Sequence, residues 1–176
     1  MSFLLPDPQE QLLYGELWNE ILPRISENSK VLEPGCGTGE MLRALCEKTR
    51  CTGVCAEPWT LPQKGNPEFI PLAGEEIGRL EDHFDLIYTA KSLHHMSDPL
   101  KFIKSARRLL SPNGVLLIGD WRQGTYRGID ETYYSPQQLL NWFKAAGFAF
   151  YEVRVRPNHM FGIASDSPTA PMDYKV

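Results

Sequence analysis

The chain has 176 residues, enough for one domain with a full core and too few for two of typical size. Its formal net charge of -4 gives no broad basic surface, so a nucleic-acid partner is not expected. No apolar run approaches the ~20 residues that cross a bilayer. The opening M-S-F-L-L-P-D-P is too short and too acidic for a signal peptide, so a cytoplasmic protein without a membrane span is expected.

In chain order, Gln9 to Leu22 has the spacing of an amphipathic helix, with Leu12, Leu13, Leu17 and Ile21 beside Tyr14 and Trp18, ended by Pro23. Residues 1–29 are read as a helical cap on the domain that follows. Val31 to Gly39, V-L-E-P-G-C-G-T-G, then reads as the end of a buried strand entering a glycine-rich loop, with a helix opening at Thr38 or Gly39. Gly35, Gly37 and Gly39 permit positive φ and carry no Cβ, so a ligand can approach the backbone closely. A dinucleotide site wants G-x-G-x-x-G with its pyrophosphate on a helix N-terminus. This loop is G-x-G-x-G instead, and Glu33, two residues ahead of it, repels a diphosphate and suits a ligand bearing an ammonium group.

A helix over Glu40 to Thr49 and a strand over Cys51 to Ala56 follow, ending at Glu57, 22 positions after Gly35. An acid about 20 residues beyond the first glycine, at the tip of the second strand, is placed to accept hydrogen bonds from ribose hydroxyls. Cys36, Cys46, Cys51 and Cys55 form no C-x-x-C and have no histidine nearby in sequence. They read as small buried hydrophobes, with neither a metal nor a disulfide expected. Between Glu57 and a third strand near Phe69 to Leu72, three prolines and one glycine argue against a helix.

V-L-E-P-G-C-G-T-G resembles the first motif of the class I S-adenosylmethionine (SAM)-dependent methyltransferases, and F-D-L-I-Y-T-A-K-S-L-H-H-M, Phe84 to Met96, is similar to their fourth-strand motif. The resemblance spans about Lys30 to Ser165. It implies an α/β, Rossmann-like fold: a mostly parallel seven-stranded sheet with helices on both faces and an antiparallel last strand, over 30–165, with a loose tail at 166–176. It implies SAM as cofactor, held by Glu33, Gly35, Cys36, Gly37 and Gly39, with Glu57 on the ribose, Pro58 and Trp59 beside the adenine, and Ala90 and Lys91 near the methyl group. P-L-A-G-E-E-I resembles the loop whose acid binds the adenine amino group. The usual Asp falls on Ala73, which leaves backbone groups near Gly74, or Glu75, for that role. Lys91 departs from the small or neutral polar residue expected at its place.

Further on, Ser97 or Asp98 caps a helix with Pro99 in its first turn, and Leu100, Ile103, Ala106, Leu109 and Leu110 face inward, while Lys101, Lys104 and Arg108 share a solvated face. S-P-N-G is a turn, and Val115 to Gly119 is a strand buried on both faces that ends in Asp120 and Trp121. The polar segment to Tyr134 reads as an active-site flank. Ser135 and Pro136 open a last helix capped by Gly147, and strands over 149–155 and 159–165 close the chain.

L-H-H-M-S-D-P-L and A-G-F are similar in style to the type 11-like, small-molecule branch that includes quinone-biosynthesis methyltransferases. The expected reaction is methyl transfer to a small-molecule acceptor, with His94, His95 and Tyr133 as candidate catalytic residues. Adjacent histidines in an extended chain face opposite ways, so only one of the pair serves as base unless the loop turns. Two rival readings stand beside this one. A non-catalytic SAM-fold binding subunit is allowed by Ala73 and the short second crossover, and a nicotinamide-dependent oxidoreductase is disfavoured by Glu33 and the glycine spacing.

Overall fold

The computed structural model describes residues 7–128 and 130–168. Asp7 opens the first helix, α1 (Pro8–Ile21), by accepting a hydrogen bond from Gln9 N at 2.8 Å, and Pro8 occupies the first turn, where a missing N–H leaves no bond unmade. Leu13, Leu17, Trp18 and Ile21 form its buried face, whereas Leu12 is 67 % exposed. Pro23 does not stop the chain abruptly; α1 passes into a 3-10 turn over Leu22–Arg24.

The strands are β1 (Lys30–Pro34), β2 (Thr52–Ala56), β3 (Glu68–Ile70), β4 (Phe84–Ala90), β5 (Leu110–Trp121), β6 (Phe150–Val155) and β7 (His159–Ser165). Between them run α2 (Glu40–Thr49), α3 (Pro99–Leu109) and α4 (Pro136–Ala146). They build one seven-stranded sheet in the order β3-β2-β1-β4-β5-β7-β6. Only β7 runs against its neighbours, β5 and β6; the other pairs are parallel.

Side chains alternate across each strand, and both faces are covered. Val31, Leu86, Tyr88, Val115 and Leu117 pack with α1 and α2. Leu32, Ile87, Leu116 and Ile118 pack with α3 and α4. This is why V-L-L-I at 115–118 is a continuous apolar run and not an alternating one. Gly119 admits α1 to the sheet, since a Cβ there would lie 2.9 Å from Leu17 Cδ1. The presumed cap of residues 1–29 is therefore part of the main core over its described portion.

The local signals mostly act as the sequence suggests. Asp85, whose Oδ2 accepts Lys30 N at 2.8 Å, ties the start of β4 to β1. Asp98 caps α3 through Lys101 N at 2.9 Å, and Ser135 and Gln138 form a reciprocal capping box on α4, which ends at Gly147 with φ of 85°. Three details differ. Ser111–Gly114 bulge within β5, between the pairs Phe84↔Leu110 and Leu86↔Val115, and do not precede the strand. β3 is shorter and earlier than Phe69 to Leu72; the helix-free link before it is held by Asn66, which accepts Gly53 N at 2.7 Å and donates to Cys51 O at 2.8 Å. Asp166 pairs with Arg107 at 2.9 Å and Ser167 Oγ donates to Pro112 O at 2.9 Å, so the first residues of the expected loose tail are held to the domain; residues 169–176 lie outside the described portion.

The cysteines need a correction. Cys36 and Cys55 form a disulfide, with Cα atoms 5.7 Å apart. Parallel pairing puts Glu33 opposite Cys55, which carries the loop after β1 over the end of β2, a proximity that spacing along the chain conceals. Cys46 and Cys51 are free and buried, as small hydrophobes.

Candidate active site

In an open α/β sheet, the loops beyond the carboxyl ends of the strands part where the strand order reverses, here between β1 and β4. A cleft of about 470 Å³ opens there, lined by Gly35 after β1, Glu57 and Trp59 after β2, Gly74 after β3, and Ser92 and His95 after β4. Pro58 and Glu75 also line it.

Gly35 has φ of 71°, and Ser92 Oγ occupies the place of its missing Cβ while donating to Gly35 O at 2.8 Å. Gly37 has φ of 54°, and among the described residues no atom beyond its chain neighbours lies within 4 Å of where a Cβ would stand. Its N–H donates to Glu57 Oε2 at 3.0 Å, which draws the glycine loop to the tip of β2. Gly39, under the loop, abuts Phe69. Trp59 is 91 % exposed at the rim, a large apolar face suited to covering a flat ring. Glu75 Oε1 accepts Ser97 N at 2.5 Å and Ser97 Oγ at 2.9 Å, so this carboxylate also fixes the approach to α3.

Glu33 lies beneath the loop and is not among the residues lining the cleft. It is 3 % exposed and accepts Tyr88 OH at 2.8 Å. Burial pushes its pKa up to about 8, against the opposing pull of the Tyr88 hydrogen bond. The native state therefore holds a proton that the unfolded chain releases near pH 4.5. The corresponding stability is present below that pH and is lost as pH rises through about 8. Glu33→Gln is accordingly expected to match the wild type at acid pH and to become progressively more stable than it across that window. Urea melts at a series of pH values measure this, and a constant difference between the two proteins refutes it.

Ala90 ends β4 opposite Gly119. Lys91 follows in the left-handed region, φ 53°, with its N–H on Gly119 O at 2.8 Å. Its ammonium pairs with Glu10 at 2.9 Å and sits 5.3 Å from the Tyr14 ring centroid. The charge of Lys91 is thus met by α1.

On the far side of the cleft, a 3-10 turn over Leu93–His95 brings both histidine rings together, centroids 4.0 Å apart, and so removes the expectation that they face opposite ways. Asp120, 1 % exposed at the end of β5, grips His94 twice: Oδ2 accepts its backbone N–H at 3.0 Å and Oδ1 lies 2.7 Å from ring Nδ1. His94 Nε2 lies 3.7 Å from Glu131 Oε2, which accepts Tyr133 OH at 2.7 Å. The Tyr133 ring meets His94 edge-on at 5.0 Å. Burial, then the Glu131 carboxylate, holds the Tyr133 phenol above its ordinary pKa, so it stays a donor. Tyr134 instead donates to Met96 O at 3.2 Å and packs on Trp142, and Tyr126 is exposed. Neither Asp120 nor Glu131 was singled out from sequence. Asp120 carried the mark that picked out Glu33 and Glu57, an acid at the carboxyl end of a strand; Glu131 sits in a polar segment with no such mark.

Sheet order, glycine loop and strand-tip acid define a class I SAM-dependent methyltransferase. A family model described as "Methyltransferase domain" matches residues 8–153, and the chain belongs to that family. It is 24% identical over 143 residues to the 2-methyl-6-phytyl-1,4-hydroquinone methyltransferase of Synechocystis sp., covering 74% of this chain and 45% of that protein. It is 31% identical over 144 residues to the malonyl-[acyl-carrier protein] O-methyltransferase of Porphyromonas gingivalis, covering 69% and 52%. With the tRNA U34 carboxymethyltransferase of Trichodesmium erythraeum it shares 27% over 161 residues, covering 75% and 48%. The chain thus spans about half the length of these curated relatives. The solved structure of a SAM dependent methyltransferase from Aquifex aeolicus has the same fold, with a TM-score of 0.67, 21% identity, and coverage of 90% of this chain and 93% of that one. The DhpI-SAH complex gives 0.68, with 18% identity and coverage of 96% and 89%.

The cofactor is S-adenosylmethionine, and the site fits it: a carboxylate at Glu57 and an uncovered indole at Trp59 line the cleft, and the open space over Gly37, whose N–H bonds to Glu57, lies beside them. No helix among the described residues is long and apolar enough to cross a membrane.

Proposed function

We propose that this domain transfers the methyl group of SAM to a small-molecule acceptor seated beside His94, His95 and Tyr133. The observation that carries this reading is that His95 lines the cofactor cleft and also packs against His94, ring centroids 4.0 Å apart, so cofactor and acceptor regions share a wall. When bound, the cofactor supplies an electrophilic methyl group on a positively charged sulfur. For an in-line transfer of that group, the tasks of this chain's residues would be to align donor with acceptor and to exclude water. The Gly35–Gly39 loop gives close approach, Glu57 accepts from the ribose hydroxyls, and Pro58, Trp59, Gly74 and Glu75 frame the adenine. His94 is fixed by Asp120, and Tyr133 by Glu131, which makes the acceptor wall rigid.

Charge favours a small acceptor over a polyanion. Glu57, Glu75 and Glu131 stand around this edge, while Lys91 and Arg127 are already paired with Glu10 and Asp7. A tRNA, the substrate in the name of one relative, would bring phosphates to an edge where these three carboxylates stand and where Lys91 and Arg127 are already engaged. Methyl-labelled SAM incubated with the protein and a cell extract, then separated into small-molecule, RNA and protein fractions, tests the reading. Label is expected among small molecules; label in RNA or protein alone overturns it.

A further inference from the structure

We propose that His94, His95 and Glu131 bind one divalent transition-metal ion whose remaining positions face the acceptor side of the cleft and take an acceptor bearing two neighbouring oxygens. The sequence, read through its cysteines, gave no expectation of a metal. The acceptor part of the proposal rests on the functional reading above; the metal site itself does not.

One ligand atom from each of the three residues lies within 4.8 Å of the other two. Around an ion with bonds of about 2.1 Å, such donors stand roughly 3 to 3.5 Å apart, so the widest gap in the cluster closes by at most about 1.8 Å on binding. His94 and His95 come from one short turn, and Glu131 from the irregular segment between β5 and α4. Two imidazoles and a carboxylate are a donor set for zinc, iron, cobalt or manganese, whereas magnesium and calcium favour oxygen alone. Three protein donors leave positions open for an outside ligand.

The surroundings are those that metal-binding histidines use. A ligating imidazole commonly gives its second ring nitrogen to a carboxylate, which fixes the tautomer and aims the lone pair. Asp120, buried, does this at Nδ1 of His94 with 2.7 Å, and leaves Nε2 on the side of Glu131. Tyr133 OH, at 2.7 Å, steadies Glu131 in the same way. The charges also call for a cation: among the described residues neither Asp120 nor Glu131 forms an ion pair with a lysine or arginine. A His94 ring held between the two carboxylates without any ion is the competing explanation, and it gives His95 no part. A bound ion uses all three residues.

The test is titration of chelator-treated protein with Co2+, followed by calorimetry and by visible absorbance, with S-adenosylhomocysteine (SAH) binding measured on the same samples. One Co2+ per chain is expected, with tetrahedral or five-coordinate absorption bands. His95→Ala and Glu131→Gln should each weaken Co2+ at least tenfold, and Asp120→Asn by about 10- to 100-fold, as loss of an outer partner does. If the buried Asp120→Asn variant fails to fold, Glu131→Gln, with SAH affinity unchanged, still decides the matter. Absence of Co2+ binding, or binding that neither His95→Ala nor Glu131→Gln weakens, overturns the site. Metal binding without SAH binding would instead count against the cofactor assignment.

Discussion

Replacing Gly37 by valine is expected to abolish SAH binding in a protein that still folds. The backbone at Gly37 is left-handed, φ 54°, which for a residue with a Cβ costs about 1–2 kcal/mol. That is affordable within a typical stability of about 5–15 kcal/mol. Beyond its chain neighbours, no described atom lies within 4 Å of the new Cβ, so the fold meets no clash, and the valine branches instead enter the open space over the loop, where the cofactor is expected to approach. The neighbouring glycines make poorer probes. A side chain at Gly35 strikes Ser92, and one at Gly39 comes to 2.7 Å from the Phe69 ring, so either damages packing as well as binding. Gly124→Val is the control for strain alone, since Gly124 is also left-handed, φ 88°, with no described atom beyond its chain neighbours within 4 Å of its Cβ position, and it belongs to the segment after β5, whereas Gly37 bonds to Glu57 of the cleft. Calorimetry should show Gly124→Val binding SAH like the wild type and Gly37→Val losing more than about a hundredfold, near 2.7 kcal/mol. A folded Gly37→Val protein with wild-type affinity refutes the close-approach argument.

What was legible in the sequence is what the parallel sheet repeats. A strand buried on both faces is an apolar run, its carboxyl end is marked by a polar or glycine residue, and the next helix announces itself with a cap. Val31 to Gly39, Cys51 to Glu57 and Phe84 to Ala90 all carry those marks, and so do Asp98 with Pro99 and Ser135 with Gln138. What was hidden depends on contacts between distant segments. The Cys36–Cys55 bridge follows from the register of β1 on β2, the convergence of His94 and His95 from one 3-10 turn, and the reach of Glu131 to His94 from the path of an irregular segment. Glu33 shows the limit of reading charge from sequence: its position at a strand end was correct, but its burial beside Tyr88 puts it below the loop and raises its pKa. Lys91 is similar, because only the packing of α1 reveals that Glu10 meets its charge.

Glu57→Ala is expected to weaken SAH binding by about 1.5–3 kcal/mol, the range of a hydrogen bond to a charged group. That corresponds to roughly 10- to 150-fold in Kd. Glu57 follows β2 and lines the cleft, placed for its carboxylate to accept from both hydroxyls of a ribose. Among the described residues its carboxylate accepts one hydrogen bond, from Gly37 N–H at 3.0 Å, and Gly37 is exposed, so water replaces the lost partner in the variant. The stability change should therefore be small beside the affinity change, and thermal melts of the unliganded proteins should nearly coincide. Glu57→Gln separates charge from shape: it keeps an acceptor oxygen of the same reach, and its affinity should fall between those of the wild type and Glu57→Ala. NADH, titrated in parallel, should bind none of the three proteins, since the glycine spacing of this loop does not cradle a diphosphate. Equal SAH affinity in the wild type and Glu57→Ala removes Glu57 from the ribose and, with it, the placement of the cofactor along this cleft.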